Sequence, residues 1–150
     1  MMPPSPSKPK SDVSGRPKSG SRFSDQRPRQ ERQFAEGAGR RGEALAALFL
    51  QVQGYRVLDR RVKTPVGEVD LIARRGKITV FVEVKSRSFS HQEADAMFAV
   101  NRKRIVRAAQ YWLIRNPRHA EDEFRFDVIF LAPFAWPRHI VSAFDATGIA

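Results

Sequence analysis

The chain is 150 residues long, 41% hydrophobic, and carries 27 Lys+Arg against 16 Asp+Glu, a formal net charge of +11. That length predicts one domain, and so basic a balance favours polyanionic partners through counterion release. Cysteine is absent, which excludes disulfides, thiolate zinc sites and cysteine nucleophiles and fits a reducing cytoplasm; no apolar run approaches the roughly 20 residues that span a bilayer.

Residues 1–36 are rich in Pro, Ser, Lys and Arg and have almost nothing to bury, so they read as a disordered basic tail. Such a tail either adds non-specific affinity for nucleic acid or is a dispensable leader. Asp12, Asp25 and Glu31 interrupt any reading of it as an organelle transit peptide. Residues 37–150 are expected to form the folded domain. From Gly42 to Gln53, Leu45, Leu48, Phe49 and Val52 recur at helical spacing and predict a first helix with that face inward, stopped at Gly54. Tyr55 to Lys63 reads as a strand with Tyr55 and Val57 turned inward and Leu58 a further candidate, followed by a turn at Thr64-Pro65-Val66-Gly67. Glu68 to Arg74 and Lys77 to Arg87 are the next two strands, joined tightly through Arg75-Gly76. The apolar run Ile78-Thr79-Val80-Phe81-Val82 predicts a strand covered on both faces.

Ser88 to Asp95 is polar and reads as a loop. A second helix is expected from about Asn101 to Arg115, with Ile105, Ala108, Ala109, Trp112 and Leu113 on its apolar face and Asn116-Pro117 ending it. Phe124 to Leu131 and His139 to Phe144 complete the strands, around a Pro-rich turn at Pro133 and Pro137. The order α-β-β-β-α-β-β predicts an α/β fold, a mixed central sheet flanked by helices in a three-layer sandwich.

The chemistry concentrates in Gly67-Glu68-Val69-Asp70 and Phe81-Val82-Glu83-Val84-Lys85. Alternation along a strand places Glu68 with Asp70, and Phe81 with Glu83 and Lys85. Two carboxylates about 5 Å apart repel by on the order of 3 kcal/mol at an effective dielectric of 20. A divalent cation removes that repulsion, and carboxylate oxygens suit Mg²⁺ or Mn²⁺. A lysine beside such a site can orient water and offset charge on a scissile phosphate as the ammonium, or deprotonate water as the neutral amine. The plainer alternative is a salt-bridge ladder of Glu68 or Glu83 with Lys85 or Arg87. Between Ala96 and Ala120 there are several basic residues and no acid. Arg104, Arg107, Tyr111 and Arg115 fall on one helical stripe and, with Lys103 and Arg87, could contact phosphates without reading sequence. The alternative there is a solvated basic face. His91, His119 and His139 lack metal-ligand spacing, and no phosphate-cradling glycine loop is present.

Gly42-Glu43-Ala44, Gly67-Glu68-Val69-Asp70-Leu71-Ile72-Ala73, Phe81-Val82-Glu83-Val84-Lys85-Ser86-Arg87 and Arg125-Phe126-Asp127-Val128 together resemble the YraN-type uncharacterised bacterial family. That family is similar to the PD-(D/E)xK superfamily, which has the restriction-endonuclease-like fold and includes archaeal Holliday-junction resolvases. The resemblance covers roughly residues 38–145. It implies metal ligation by Asp70 and Glu83 with the Val84 carbonyl as a further ligand, and Lys85 as the catalytic lysine. It adds Glu43 as an acid contributed by the first helix, with a solvated helix-face acid as the alternative. It places Glu68 and Gln110 behind the ligands and gives Asp127 a structural role. Val69 stands where the superfamily has proline, and Asn101 where the YraN-type pattern commonly has lysine, a place Lys103 could fill only in the right helical register. The resulting expectation is a cytoplasmic Mg²⁺- or Mn²⁺-dependent endonuclease acting on DNA rather than RNA, with branched DNA a candidate substrate and no membrane partner. A junction resolvase needs two sites, which a homodimer would supply. The alternatives are a catalytically weak nucleic-acid-binding module of the same fold and a basic adaptor that docks an acidic protein.

Overall fold

The computed structural model describes residues 29–86 and 91–147. The elements are α1 (Arg29–Val52), β1 (Arg56–Thr64), β2 (Gly67–Arg75), β3 (Ile78–Lys85), α2 (His91–Arg115), a single 3-10 turn (Pro117–His119), β4 (Glu123–Phe130) and β5 (Arg138–Phe144). The order is the one expected, and the strands agree with their predicted ranges to within one or two residues. The five strands form one sheet in the order β1-β2-β3-β4-β5. All neighbours pair antiparallel except β3 and β4, which run parallel because α2 carries the chain back between them.

Each helix covers one face of the sheet. Ala46, Ala47 and Leu50 of α1 pack with Leu71, Ala73, Val80, Val82 and Ile129. Ile105, Val106, Ala109 and Trp112 of α2 pack with Ile72, Phe81, Phe126 and Val128 on the other face. The result is the three-layer arrangement of a restriction-endonuclease-like α/β sandwich. Thr79, Val80, Phe81 and Val82 are all fully buried, as a strand between two helical layers must be. Trp112 is a core residue, 5.9 Å edge-on from the Phe81 ring. No described helix is long and apolar enough to cross a membrane.

Three expectations fail in instructive ways. Both helices begin earlier than predicted: α1 at Arg29, so that it runs through the boundary placed at residue 36, and α2 at His91, within the segment read as a polar loop. Glu, Gln, Ala, Arg and Met in those stretches are good helix formers without an apolar stripe to advertise them. The inward face of α1 is also not the predicted one. Leu45, Leu48 and Val52 are exposed, whereas Ala46, Ala47 and Leu50 are fully buried. The helix lies close to the sheet on its small residues, and the close approach begins at Gly42, where a Cβ would stand 2.7 Å from Ser86 Oγ and 3.4 Å from a Leu131 methyl.

A second close approach fixes α2. The Thr64 hydroxyl donates to the Gly67 carbonyl and accepts from the Val66 and Gly67 N–H groups, closing the predicted turn. This places Gly67 against the backbone of α2, where a Cβ would run into the Arg104 carbonyl. A backbone carbonyl cannot swing aside as a side chain can. Gly67→Ala is therefore expected to destabilise the protein by about 1–3 kcal/mol, read as a lower urea midpoint.

Two buried carboxylates anchor the sheet away from the acidic motif. Asp127, fully buried, accepts from Arg125 through both oxygens (2.8 and 2.9 Å), from the Ser142 N–H (3.0 Å), and pairs with His139 Nε2 at 2.8 Å. Burial opposes its ionisation, but the hydrogen bonds from His139 and Arg125 outweigh it and hold the carboxyl below its ordinary range. These contacts make Asp127 a structural residue that ties β5 to β4. Asp122 takes Arg74 at 2.7 Å, Thr79 and His119, and these hydrogen bonds, Arg74 first, likewise hold it low.

Candidate active site

The acidic motif lies where the sheet forks. β2 and β3 pair from Arg75↔Ile78 as far as Leu71↔Val82. Beyond that point β2 stays on β1 down to Gly67, and β3 stays on β4 up to Lys85↔Phe130. Asp70 and Glu83 are the next residues on the two arms, so they face the opening between them. The side-chain packing of β2 reverses here too: Val69 belongs to the α2 cluster, Leu71 and Ala73 to the α1 cluster. Strict alternation would keep all three on one face. The strand rotates at Asp70, and the expected placement of Glu68 and Asp70 side by side on one regular strand face does not describe it.

Within the fork a side chain replaces the missing strand partner. The Val84 N–H donates to Asp70 Oδ2 at 2.7 Å. A strand residue directs its N–H and C=O toward the same neighbour, so the Val84 carbonyl also opens toward the β2 arm. Lys85 turns back onto Glu83, Nζ to Oε1 3.0 Å, with both side chains largely buried. That contact is the one a salt-bridge ladder predicts, but it is sheltered and sits beside a second acid. Burial, then the neighbouring Glu83 carboxylate, push the Asp70 carboxyl up to about 7, against the opposing pull of the Val84 N–H. Asp70 and Glu83 are within hydrogen-bonding reach of each other. A like charge beside a sheltered carboxyl favours its protonated form.

Glu43 reaches the same region from α1. Burial raises its pKa, Asp70 and Glu68 raise it further, and Arg61 pulls the other way. Its partner is Arg61 of β1, Nε to Oε2 3.2 Å. Sequence reasoning did not single out Arg61. It stands opposite Asp70, in the gap between the Arg60↔Leu71 and Val62↔Val69 pairs, and has φ +51°. A non-glycine residue in that region costs roughly 1–2 kcal/mol, and it marks the place where β1 bends with β2 around the fork. No sequence signal announces it: the residue type disfavours this conformation.

The remaining predicted residues divide. Glu68 is exposed and lines a small crevice with Glu83, Asn101, Arg104 and Ile105. Arg104, not Lys103, therefore lies beside Asn101 at the acidic crevice, and Lys103 is exposed away from it. Arg107 and Arg115 are exposed further along α2, where Arg115 Nη1 donates to the Tyr111 hydroxyl at 2.7 Å. Gln110 is not brought to the acids; it borders a groove of about 740 Å³ between α2 and β4–β5, with Phe81, Arg102, Phe126 and Phe144. Arg87 lies outside the described residues.

Among the described residues, no three His, Cys, Asp or Glu side chains converge as a ready-made metal cage. Glu43 and Glu83 are each drawn to a cation of the chain itself, Arg61 and Lys85. The donors nonetheless fit a hard divalent cation. They are all oxygen, and two of them are carboxyls held close enough that one keeps its proton near neutrality. Asp70, Glu83, the Val84 carbonyl and, once released from Arg61, Glu43 are the groups that could hold it.

The model of the uncharacterised protein family UPF0102 matches residues 42–131, from the glycine that seats α1 to the end of β4. The chain belongs to this family. A UPF0102 protein of Rhodopseudomonas palustris strain BisB5 is 46% identical over 120 residues, covering 80% of this chain and 92% of that relative. One of Bradyrhizobium sp. strain BTAi1 is 47% identical over 117 residues, 78% of this chain and 86% of the relative. One of Nitrobacter winogradskyi is 49% identical over 113 residues, 73% of this chain and 93% of the relative. The UPF0102 segment thus contains Glu43, Arg61, Asp70, Glu83 and Lys85 together.

Proposed function

We propose that this UPF0102 protein is a metal-dependent nuclease that hydrolyses phosphodiester bonds of DNA. The observation that carries the reading is the fork: Asp70 and Glu83 held against each other at the end of paired β2 and β3, with the Lys85 ammonium 3.0 Å from Glu83. A bound Mg²⁺ or Mn²⁺ would supply a water of lowered pKa and a Lewis acid at the phosphoryl oxygen. Asp70 and Glu83 would hold such a cation at a fixed place. The Val84 N–H orients the Asp70 carboxylate. Lys85, if Glu83 instead held such a cation, could face the charge that develops on phosphate as the ammonium, or take a proton from attacking water only as the neutral amine. Arg104 at the crevice and Arg107 along α2 bring the backbone of a polyanion to the fork. DNA is favoured over RNA only through the family's resemblance to resolvases.

The test is cleavage of end-labelled duplex, single-stranded and four-way-junction DNA with Mg²⁺ or Mn²⁺. Metal-dependent products that vanish in Asp70→Ala and Glu83→Ala, with salt-sensitive DNA binding retained, support the reading. Binding without products under any metal overturns it in favour of a nucleic-acid-binding module. That second reading has one observation in its favour: Glu43 and Glu83 are already satisfied by Arg61 and Lys85, and no three acids converge as a ready-made cage among the described residues. No affinity for any nucleic acid would leave the adaptor.

A further inference from the structure

The segment joining β4 to β5, Leu131-Ala132-Pro133-Phe134-Ala135-Trp136-Pro137, lies at the same end of the sheet as the fork. β3 and β4 are parallel and leave the sheet together: Lys85 pairs with Phe130, and the Leu131 N–H donates to the Lys85 carbonyl at 2.8 Å. The segment therefore starts one hydrogen bond away from the candidate catalytic lysine. It exposes two large aromatic rings, Phe134 at 110% and Trp136 at 89% relative exposure. A bulky residue at positive φ is a backbone outlier, and Phe134 has φ +57°. Prolines at 133 and 137 bracket the pair and limit how far the loop can collapse to bury them. A loop that keeps two rings in water at the cost of a strained backbone is built to present them.

The surroundings select the occupant. Arg138 is exposed at the foot of the loop, paired with Phe130. Gly42 of α1 packs against Leu131, where the loop begins, and the exposed Arg40 and Arg41 precede it in that helix. Rings among arginines match a ligand that alternates flat apolar faces with phosphates, which is a single strand of nucleic acid with its bases unstacked. A duplex keeps its bases stacked and offers these rings nothing. We propose that Phe134 and Trp136 form a stacking platform for unpaired nucleobases beside the fork, which makes single-stranded or branched DNA the substrate class. The proposal rests on the nuclease reading for cleavage, but not for binding.

The experiment is done in EDTA, so that its failure is separate from any failure of cleavage. The chain has two tryptophans, and Trp112 is buried. In a Trp112→Phe variant of the full chain, Trp136 is the reporter. Its emission is expected to be quenched by a dT16 oligonucleotide and not by a blunt 16-base-pair duplex. In the otherwise unaltered chain, Phe134→Ala and Trp136→Ala are each expected to weaken dT16 binding roughly tenfold, with duplex affinity unchanged and Trp136→Phe close to the parent. Both are surface positions, and circular dichroism is the check that the variants fold. Equal quenching by duplex and dT16, or unchanged dT16 affinity in the double alanine variant, overturns the platform. So does quenching by phosphatidylcholine vesicles, or dissociation of a dimer on removing the rings, which would assign the loop to a membrane or to a second copy of the chain. Binding as expected without cleavage in metal leaves the platform standing and removes the nuclease.

Discussion

Replacing Lys85 by methionine is expected to slow metal-dependent DNA cleavage by about 10²–10⁴-fold while DNA binding survives. Methionine matches the length of the lysine stem and removes only the ammonium, so a largely buried position keeps its packing. The ammonium is the group placed to act on the reacting atoms, being held 3.0 Å from Glu83 Oε1 at the mouth of the fork. Its removal also strips Glu83 of its internal counter-charge. A Lys85→Met protein should therefore take up Mn²⁺ at least as well as the parent, seen as an equal or larger metal-induced rise in thermal midpoint. Arginine should not rescue the rate, because a guanidinium stays protonated and is a planar fork rather than a point charge. A structural lysine predicts the opposite pattern: the methionine variant would lose midpoint without metal, and arginine would restore most of it. Cleavage and binding that fall together would also count against the assigned role.

Much of the fork is legible in the sequence because strand spacing is rigid. Glu83 and Lys85 two apart, with Phe81 before them, share a side wherever that segment is extended, and the short turn at Gly76 (φ +62°) brings Asp70 opposite. Where the pairing stops is not legible. The parting of β2 and β3 beyond Leu71↔Val82 depends on β1 and β4 holding the two arms, which are contacts between distant segments. Arg61 is hidden for the same reason, since its backbone conformation is imposed against its own preference. The inner face of α1 escapes a reading by periodicity because hydrophobicity is not a measure of burial there. Gly42 and Ala46 instead set a short distance to the sheet, and larger residues are left outside. Gly67 admits the Arg104 backbone and Gly42 the Ser86 and Leu131 side chains, so each seats a helix against the sheet immediately before a motif acid, Glu68 or Glu43.

Without metal, the Asp70 carboxyl should make the protein less stable as pH rises from about 4 to about 7. The sign comes from its folded pKa, raised from 3.8 to about 7 by burial and by Glu83. A carboxyl that binds its proton more tightly when folded contributes its stability below the unfolded pKa and loses it as pH passes the folded one. At about 1.36 kcal/mol per unit, the loss is on the order of 4 kcal/mol by pH 8. Asp122 and Asp127 act in the other direction, since their folded values lie below 3.8, and their contribution is lost only under more acid conditions. Asp70→Asn keeps an acceptor for the Val84 N–H and can donate to Glu83, yet carries no charge to bury. It is therefore expected to match the parent near pH 4.5 and to exceed it at pH 8, by on the order of 10 °C in thermal midpoint for a domain of this size. Mn²⁺ or Mg²⁺ should reverse the comparison. A divalent cation held by the ionised pair lifts the parent at pH 8 through mass action and leaves the asparagine variant nearly unmoved. Urea titrations at pH 4.5, 6 and 8, with and without metal, check all of this in one series. Parallel pH curves for the two proteins would show that Asp70 ionises freely, and an equal metal response in both would place the cation somewhere other than the fork.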